Sequence, residues 1–196
     1  MDHGPGGSLA LTFDDGPDPR WTPAVLDALA AAGARATFFV LGPCVAAHPD
    51  LVRRAAGEGH TVGVHAYDHL RHTEVDADAG AADLDRALDA LDGVGVRPSL
   101  WRTPWGVESG WTRPAAAARG LRVVGWDADT HDWRGDRAAD MLGAVAPAVG
   151  DAGAIVLAHD GLGPGALRDG CAETVALIAP LVALGREHGL CAEALA

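Results

Sequence analysis

From end to end the sequence alternates short apolar runs with longer amphipathic stretches, with only a few residues between them. Parallel strands need a crossover, and a helix is the usual one, so this order reads as successive βαβ units. Runs at 8–13, 36–41, 61–64, 99–102, 121–126 and 154–158 are predicted strands, with a short seventh within 190–196. Helices are predicted at 21–32, 49–56, 79–91, 112–119, 136–149 (bent near Pro147) and 173–188. Gly33, Gly57 and Gly189 stop three of them, and Pro49 opens one. Residues 1–7 read as loop. No linker or repeat divides the chain, so residues 1–196 are expected to form one domain. The expected architecture is α/β, a distorted, incomplete (β/α) barrel of six to seven parallel strands. A doubly wound open sheet is the alternative.

The titratable residues are not scattered over this pattern. Asp14 and Asp15 follow the first run, His65 and His69 the third, Arg102 the fourth, Asp129 and Asp132 the fifth, and His159 the sixth. Each falls at or just after the C-terminal end of a predicted strand. In a parallel barrel those ends share one face, where active sites are built.

Composition narrows the function. The net charge of −12 excludes a basic face for nucleic acid or an anionic membrane. There is no Lys, so a Lys nucleophile or Schiff base is excluded; all 15 Lys-or-Arg residues are Arg. No apolar run approaches a membrane span. The start lacks a signal-peptide pattern, so a cytoplasmic protein is expected, or an exported one if a leader has been removed. Cys44, Cys171 and Cys191 lack zinc or redox spacing. Inert thiols are the first expectation, and a Cys171–Cys191 bridge the alternative if the protein is exported.

Two imidazoles four residues apart, with a strand-end carboxylate, suit one divalent metal with a position left for water. Asp15, His65 and His69 are the candidate ligands. Such a metal lowers the pKa of bound water to about 7 and polarises a carbonyl. Hydrolysis also needs a base and an acid. Asp14 is the candidate base and His159 the candidate acid. Arg102 is placed to pair with Asp14, and Asp132, or alternatively Asp160, with His159. Trp133 would screen the histidine. Trp101, Trp105, Trp111, Trp126 and Trp133 crowd the middle of the chain and suit sugar stacking, although core packing is expected to claim at least half of them.

Five stretches in order, Thr12-Phe13-Asp14-Asp15-Gly16-Pro17, His65-Ala66-Tyr67-Asp68-His69, Arg102-Thr103-Pro104-Trp105, Asp129-Thr130-His131-Asp132-Trp133 and Ile155-Val156-Leu157-Ala158-His159, resemble the motifs of the polysaccharide deacetylase (NodB-like) family. The stretch 185–191 is similar to the usual close of that domain. The resemblance implies a distorted β/α barrel with one divalent metal, usually zinc, with cobalt or nickel as substitutes. It implies removal of acetyl groups from N-acetylated, sometimes O-acetylated, sugars. It gives Asp14 the role of base, Asp15, His65 and His69 that of ligands, and His159 that of acid. It makes Arg102 the partner of Asp14 and Asp132 that of His159. It adds the backbone N–H of Trp105 as an oxyanion donor, with Trp133 and Leu157 at the substrate. Two positions depart from the pattern. Ala66 stands where the family carries Ser or Thr, which implies a less stiffened ligand loop and a weaker metal site. Trp105 stands where Tyr is common, which implies altered substrate contact.

The expected partner is therefore an acetylated saccharide, with no nucleic acid and no membrane; oligomeric state is left open. Two other functions compete: hydrolysis of a small amide such as a formamide or cyclic imide within the same fold, and non-catalytic carbohydrate binding.

Overall fold

A computed structural model describes residues 7–196, so all but the last residue of the loop expected at 1–7 lies outside the described residues. The first strand, β1 (Ser8–Asp14), is an interior strand of the sheet and is almost wholly buried. It pairs in parallel with β2 (Ala36–Leu41) and with β7 (Gly153–His159). Beyond β2 come β3 (Thr61–Ala66), β4 (Leu100–Trp101) and β5 (Arg122–Val123); beyond β7 comes β6 (Ala128–Asp129). A short β8 (Cys191–Ala192) lies beside the start of β1. Every pairing is parallel.

Chain geometry demands that this sheet curl. β5 and β6 are its two edges, six strand spacings apart, or about 29 Å if flat. They are also consecutive in sequence, and the link from Val123 to Ala128 reaches at most about 18 Å. The open, flat alternative is thereby excluded, and the sheet is a curled half-barrel, as expected. The link explains a boundary that sequence misplaced. The strand expected at 121–126 stops at Val123 because Gly125 gives its carbonyl to Arg102 Nη2 (2.7 Å), and Asp127 N–H already donates to Ile155 on β7 (2.8 Å).

Side chains alternate between the two faces. Leu9, Leu11 and Phe13 on β1 join Phe38, Val62, Val64 and Val156 in a large outer core under the helices. α1 (Trp21–Ala32) and α7 (Ala172–Glu187) pack together there, beside α6 (Ala138–Val145). Ala10 instead joins Phe39, Leu100, Val124, Ile155 and Leu195 in a smaller inner core. The same parity sends Thr12, Asp14, His65, Arg102 and His159 inward, above that inner core. Space inside is tight: a Cβ on Gly63 would lie 2.6 Å from the Phe39 ring.

One further expectation is corrected, and two others are narrowed. Gly42 and Pro43 do not merely end a strand; they open α2 (Gly42–Ala47), Pro occupying the first turn. The stretch expected to form a strand within 190–196 does so only at Cys191–Ala192. Leu195 then plugs the barrel, its N–H on Thr37 Oγ1 (2.9 Å) and its carbonyl on Thr61 Oγ1 (2.7 Å). The cysteines are free, Cys171 buried and Cys191 exposed, so the bridge is absent. The remaining helices, α3 (Pro49–Gly57), α4 (Ala77–Asp92) and α5 (Thr112–Ala117), lie where the sequence pattern puts them.

Candidate active site

At the end of β1 the buried Asp14 meets the fully buried Arg102, Oδ1 to Nη1 at 3.0 Å. A buried ion pair needs further hydrogen bonds to offset its desolvation; Arg102 makes them through both Nη atoms, while its Nε is buried with no partner among the described residues. Thr12 Oγ1 accepts from the same Nη1 (2.7 Å), and the Gly125 carbonyl from Nη2. The guanidinium lies over Phe39, 4.3 Å from its centroid. Asp14 is thus held in one orientation, with Oδ2 turned toward His65 Nε2, 3.9 Å away.

The next residue, Asp15, has left-handed backbone (φ +71°), and so do His69 (+54°) and Trp105 (+62°). Non-glycine residues there are strained, and such strain clusters where side chains must be aimed. Asp15 Oδ1 lies 3.5 Å from His65 Nε2 and 3.4 Å from His69 Nε2. His65 Nδ1–H donates to the Arg102 carbonyl (2.7 Å), which leaves the Nε2 lone pair facing Asp15. Burial, and then the charge of His65, push the His69 imidazolium down to about 4, so that ring is neutral. One ligand atom from each of the three residues lies within 4.8 Å of the others. Among the described residues, none donates a hydrogen bond to the buried Asp15 Oδ1. Two imidazole nitrogens turned toward one unsatisfied buried carboxylate are the donor set a divalent cation fits. The loop between the histidines is held by Asp83 of α4, which accepts from Tyr67 N (2.9 Å) and Asp68 N (2.7 Å).

On the adjacent strand, His159 is the register partner of Asp14 at the end of β7. Its Nδ1 bonds Asp132 Oδ1 (2.7 Å), and its backbone N–H donates to Asp132 Oδ2 (2.9 Å). Burial alone would lower the His159 pKa. The hydrogen bond and charge of Asp132, with Asp14 and Asp15 behind, override it and hold the imidazolium to about 9. Burial likewise works to raise the Asp132 carboxyl, but His159, Arg168 and Thr174 hold it at about 2. The other sequence candidate for this partnership, Asp160, is taken by the Thr22 hydroxyl, and burial pushes its carboxyl up to about 7.

The cavity between the two walls measures about 300 Å³ and is lined by Asp14, Asp15, His65, His69, His159 and Leu157, with Trp105, Trp126 and Trp133. That volume is at the small end for small-molecule sites. Trp101 is core instead, its Nε1–H on the His65 carbonyl (2.9 Å), and Trp111 packs on α4 at Gly80. Asp129 lines the cavity but accepts from His131 N, not from His159. Sequence reasoning missed Arg168 and Thr174, which grip Asp132, and Asp83. None sits at a strand end, and only their contacts mark them. It also missed Gly163, where a Cβ would meet Asp15 Oδ2 at 1.9 Å.

The sequence profile of polysaccharide deacetylases matches residues 2–124, more than half of the chain. The chain belongs to the polysaccharide deacetylase family. The profile match takes in Asp14, Asp15, His65, His69 and Arg102 and ends before Asp132 and His159. A chitooligosaccharide deacetylase of Bradyrhizobium is 38% identical, over 81% of this chain and 73% of that protein's length. A peptidoglycan-N-acetylglucosamine deacetylase of Listeria monocytogenes is 39% identical over 78% of the chain but only 32% of its own length, so the chain spans about a third of that relative. A family 4 carbohydrate esterase from Streptomyces lividans, solved in complex with acetate, superposes with a TM-score of 0.85 at 33% identity, covering 95% of this chain and 91% of that one.

Proposed function

We propose that the protein is a metal-dependent hydrolase that removes acetyl groups from N-acetylglucosamine-containing saccharides. One observation carries this reading: an Arg-paired carboxylate, an Asp-His-His cluster and an Asp-paired imidazolium line a single cavity. Names of relatives support the substrate class, being those of peptidoglycan and chitooligosaccharide deacetylases.

Asp15, His65 and His69 would hold one divalent ion, zinc by its nitrogen-rich donors, with cobalt or nickel as substitutes. When bound, such an ion supplies Lewis acidity toward a water and a carbonyl oxygen. Asp14 takes a proton from the attacking water, and Arg102 keeps it oriented. The water oxygen bonds the acetyl carbon, and the backbone N–H of Trp105 donates to the oxygen that becomes negative. His159 passes its Nε2 proton to the amine nitrogen as the C–N bond breaks. Acetic acid and a free amine leave, the acid giving up its proton to become acetate; Asp14 then loses its proton and His159 regains one from solvent. Trp133 and Leu157 line the substrate's side of the cavity.

Acetate release from chitooligosaccharides and from peptidoglycan fragments tests the reading. Release is expected to vanish on chelation and to return with zinc or cobalt. Protein holding about one equivalent of zinc that releases no acetate from either substrate would overturn it.

A further inference from the structure

We propose that Arg168 is the positioning residue that keeps the leaving-group acid in line, and that it does so by saturating the far oxygen of Asp132. The proposal rests on the reading of His159 as proton donor to the amine. Arg168 stands in the glycine-rich segment 161–170 that leaves the end of β7, yet its side chain is only 5% exposed. The guanidinium reaches four acceptors: Asp132 Oδ2 (2.8 Å) and Thr174 Oγ1 (2.5 Å) from Nη1, and the carbonyls of His159 (3.0 Å) and Gly161 (3.3 Å) from Nη2. Only a rigid fork of donors does this; a lysine is a point charge.

The division of labour on Asp132 is what matters. Oδ1 has His159 Nδ1. Oδ2 receives three donors: His159 N, Arg168 Nη1 and Thr174 Oγ1 (2.8 Å). A carboxylate fixed on one oxygen by three donors cannot turn about its Cβ–Cγ bond, so the other oxygen stays on the imidazole. The charges that face His159 are Asp132, Asp14, Asp15 and Arg168. Arg168 is the cation among them, and it limits how much anion Asp132 presents to the ring. By holding the His159 and Gly161 carbonyls, the same side chain also sets where the segment departs. Two residues on, Gly163 lies against Asp15, and Gly165 against the Trp105 ring, where a Cβ would be 3.1 Å away.

A residue that acts through the acid must matter most where the leaving group needs a proton. An amine does; a nitrophenolate does not. The experiment compares a chitooligosaccharide and 4-nitroacetanilide with 4-nitrophenyl acetate, using wild type, Arg168→Met and Arg168→Lys, each with its zinc content measured. Arg168→Met is expected to lower kcat on both amides about 10- to 100-fold, part of the roughly 10²–10⁴ a general acid contributes, with KM and the ester rate near wild type. Arg168→Lys should recover part of the loss. Equal losses on amides and ester, or no loss, would overturn the proposal. If Arg168→Met does not fold, Thr174→Val removes one donor from the same oxygen, and a smaller amide-selective loss is then required. Wild-type cleavage of the anilide without the chitooligosaccharide would overturn the sugar reading alone, and the anilide-to-ester ratio would still judge Arg168.

Discussion

Two forces oppose each other on His159. Burial favours the neutral ring, and the carboxylates around it favour the imidazolium; at 2.7 Å from Asp132 the charge wins, and the pKa rises from 6.5 to about 9. The proton therefore stays available through neutral pH. In Asp132→Asn the charge is gone and burial remains, so N-acetyl hydrolysis should fall about 100-fold or more. The limb of the kcat/KM profile on which activity declines with rising pH should move to lower pH, and an O-acetyl ester should lose less. Equal losses with an unmoved limb would make Asp132 purely structural. Stability carries the same signature. The raised His159 pKa contributes stability that is complete below pH 6.5 and lost as pH rises through about 9; the lowered Asp132 pKa contributes stability complete above 3.8 and lost as pH falls through about 2. The gap in Tm between wild type and Asp132→Asn, measured on chelated protein, should thus shrink from pH 6.5 to pH 9, on the order of 3 kcal/mol being at stake. Asp14, Asp15, His65, His69, Arg102, Asp132 and His159 were all readable as candidates because their chemistry is rare at strand ends. Arg168 was not, because an arginine in a loop is ordinary until its four acceptors are seen.

Among the elements, the segment 161–170 does more than connect β7 to α7. Its residues Gly161, Gly163, Pro164, Gly165 and Ala166 form one side of the cavity. Gly163 is required there, since a Cβ would sit 1.9 Å from Asp15 Oδ2. Gly163→Ala should therefore displace Asp15, weakening the zinc binding proposed for it about 10- to 100-fold while costing only about 1–3 kcal/mol of stability. Zinc titration alongside thermal unfolding measures both; unchanged zinc affinity would show that the segment yields and Asp15 does not. Strands were legible in proportion to their burial. β1, β2 and β7 are continuous apolar runs that no helix period fits. β4, β5 and β6 are two residues each and exist because neighbouring strands fix them, so their limits carry no local signal. The α2 helix was hidden by Gly42-Pro43, a pair that reads as a turn.

At the scale of the whole molecule, the curl of the sheet and the net charge are both consequences of sequence, one read through chain length and one directly. The alternation of strands and helices was enough for a barrel-like fold; that its edges are joined by a link too short for a flat sheet needed the strand order. The charge of −12 acts over the molecule as a unit only when screening permits. A chain of this length has a radius of gyration of roughly 16 Å. The Debye length is about 30 Å at 0.01 M salt and about 8 Å at 0.15 M, so at low salt the full charge is felt by an approaching ligand and at physiological salt only the nearest groups are. Fully acetylated chitooligosaccharides are neutral, whereas partly deacetylated ones carry ammonium groups. Steering then predicts different salt dependence for two substrates cleaved by the same site. Between 0.01 and 0.15 M salt, kcat/KM on a partly deacetylated oligomer should fall about tenfold, through KM rather than kcat, while the fully acetylated oligomer changes little. Parallel behaviour of the two would mean that the acidic groups lie too far from the cavity mouth to guide a ligand into it.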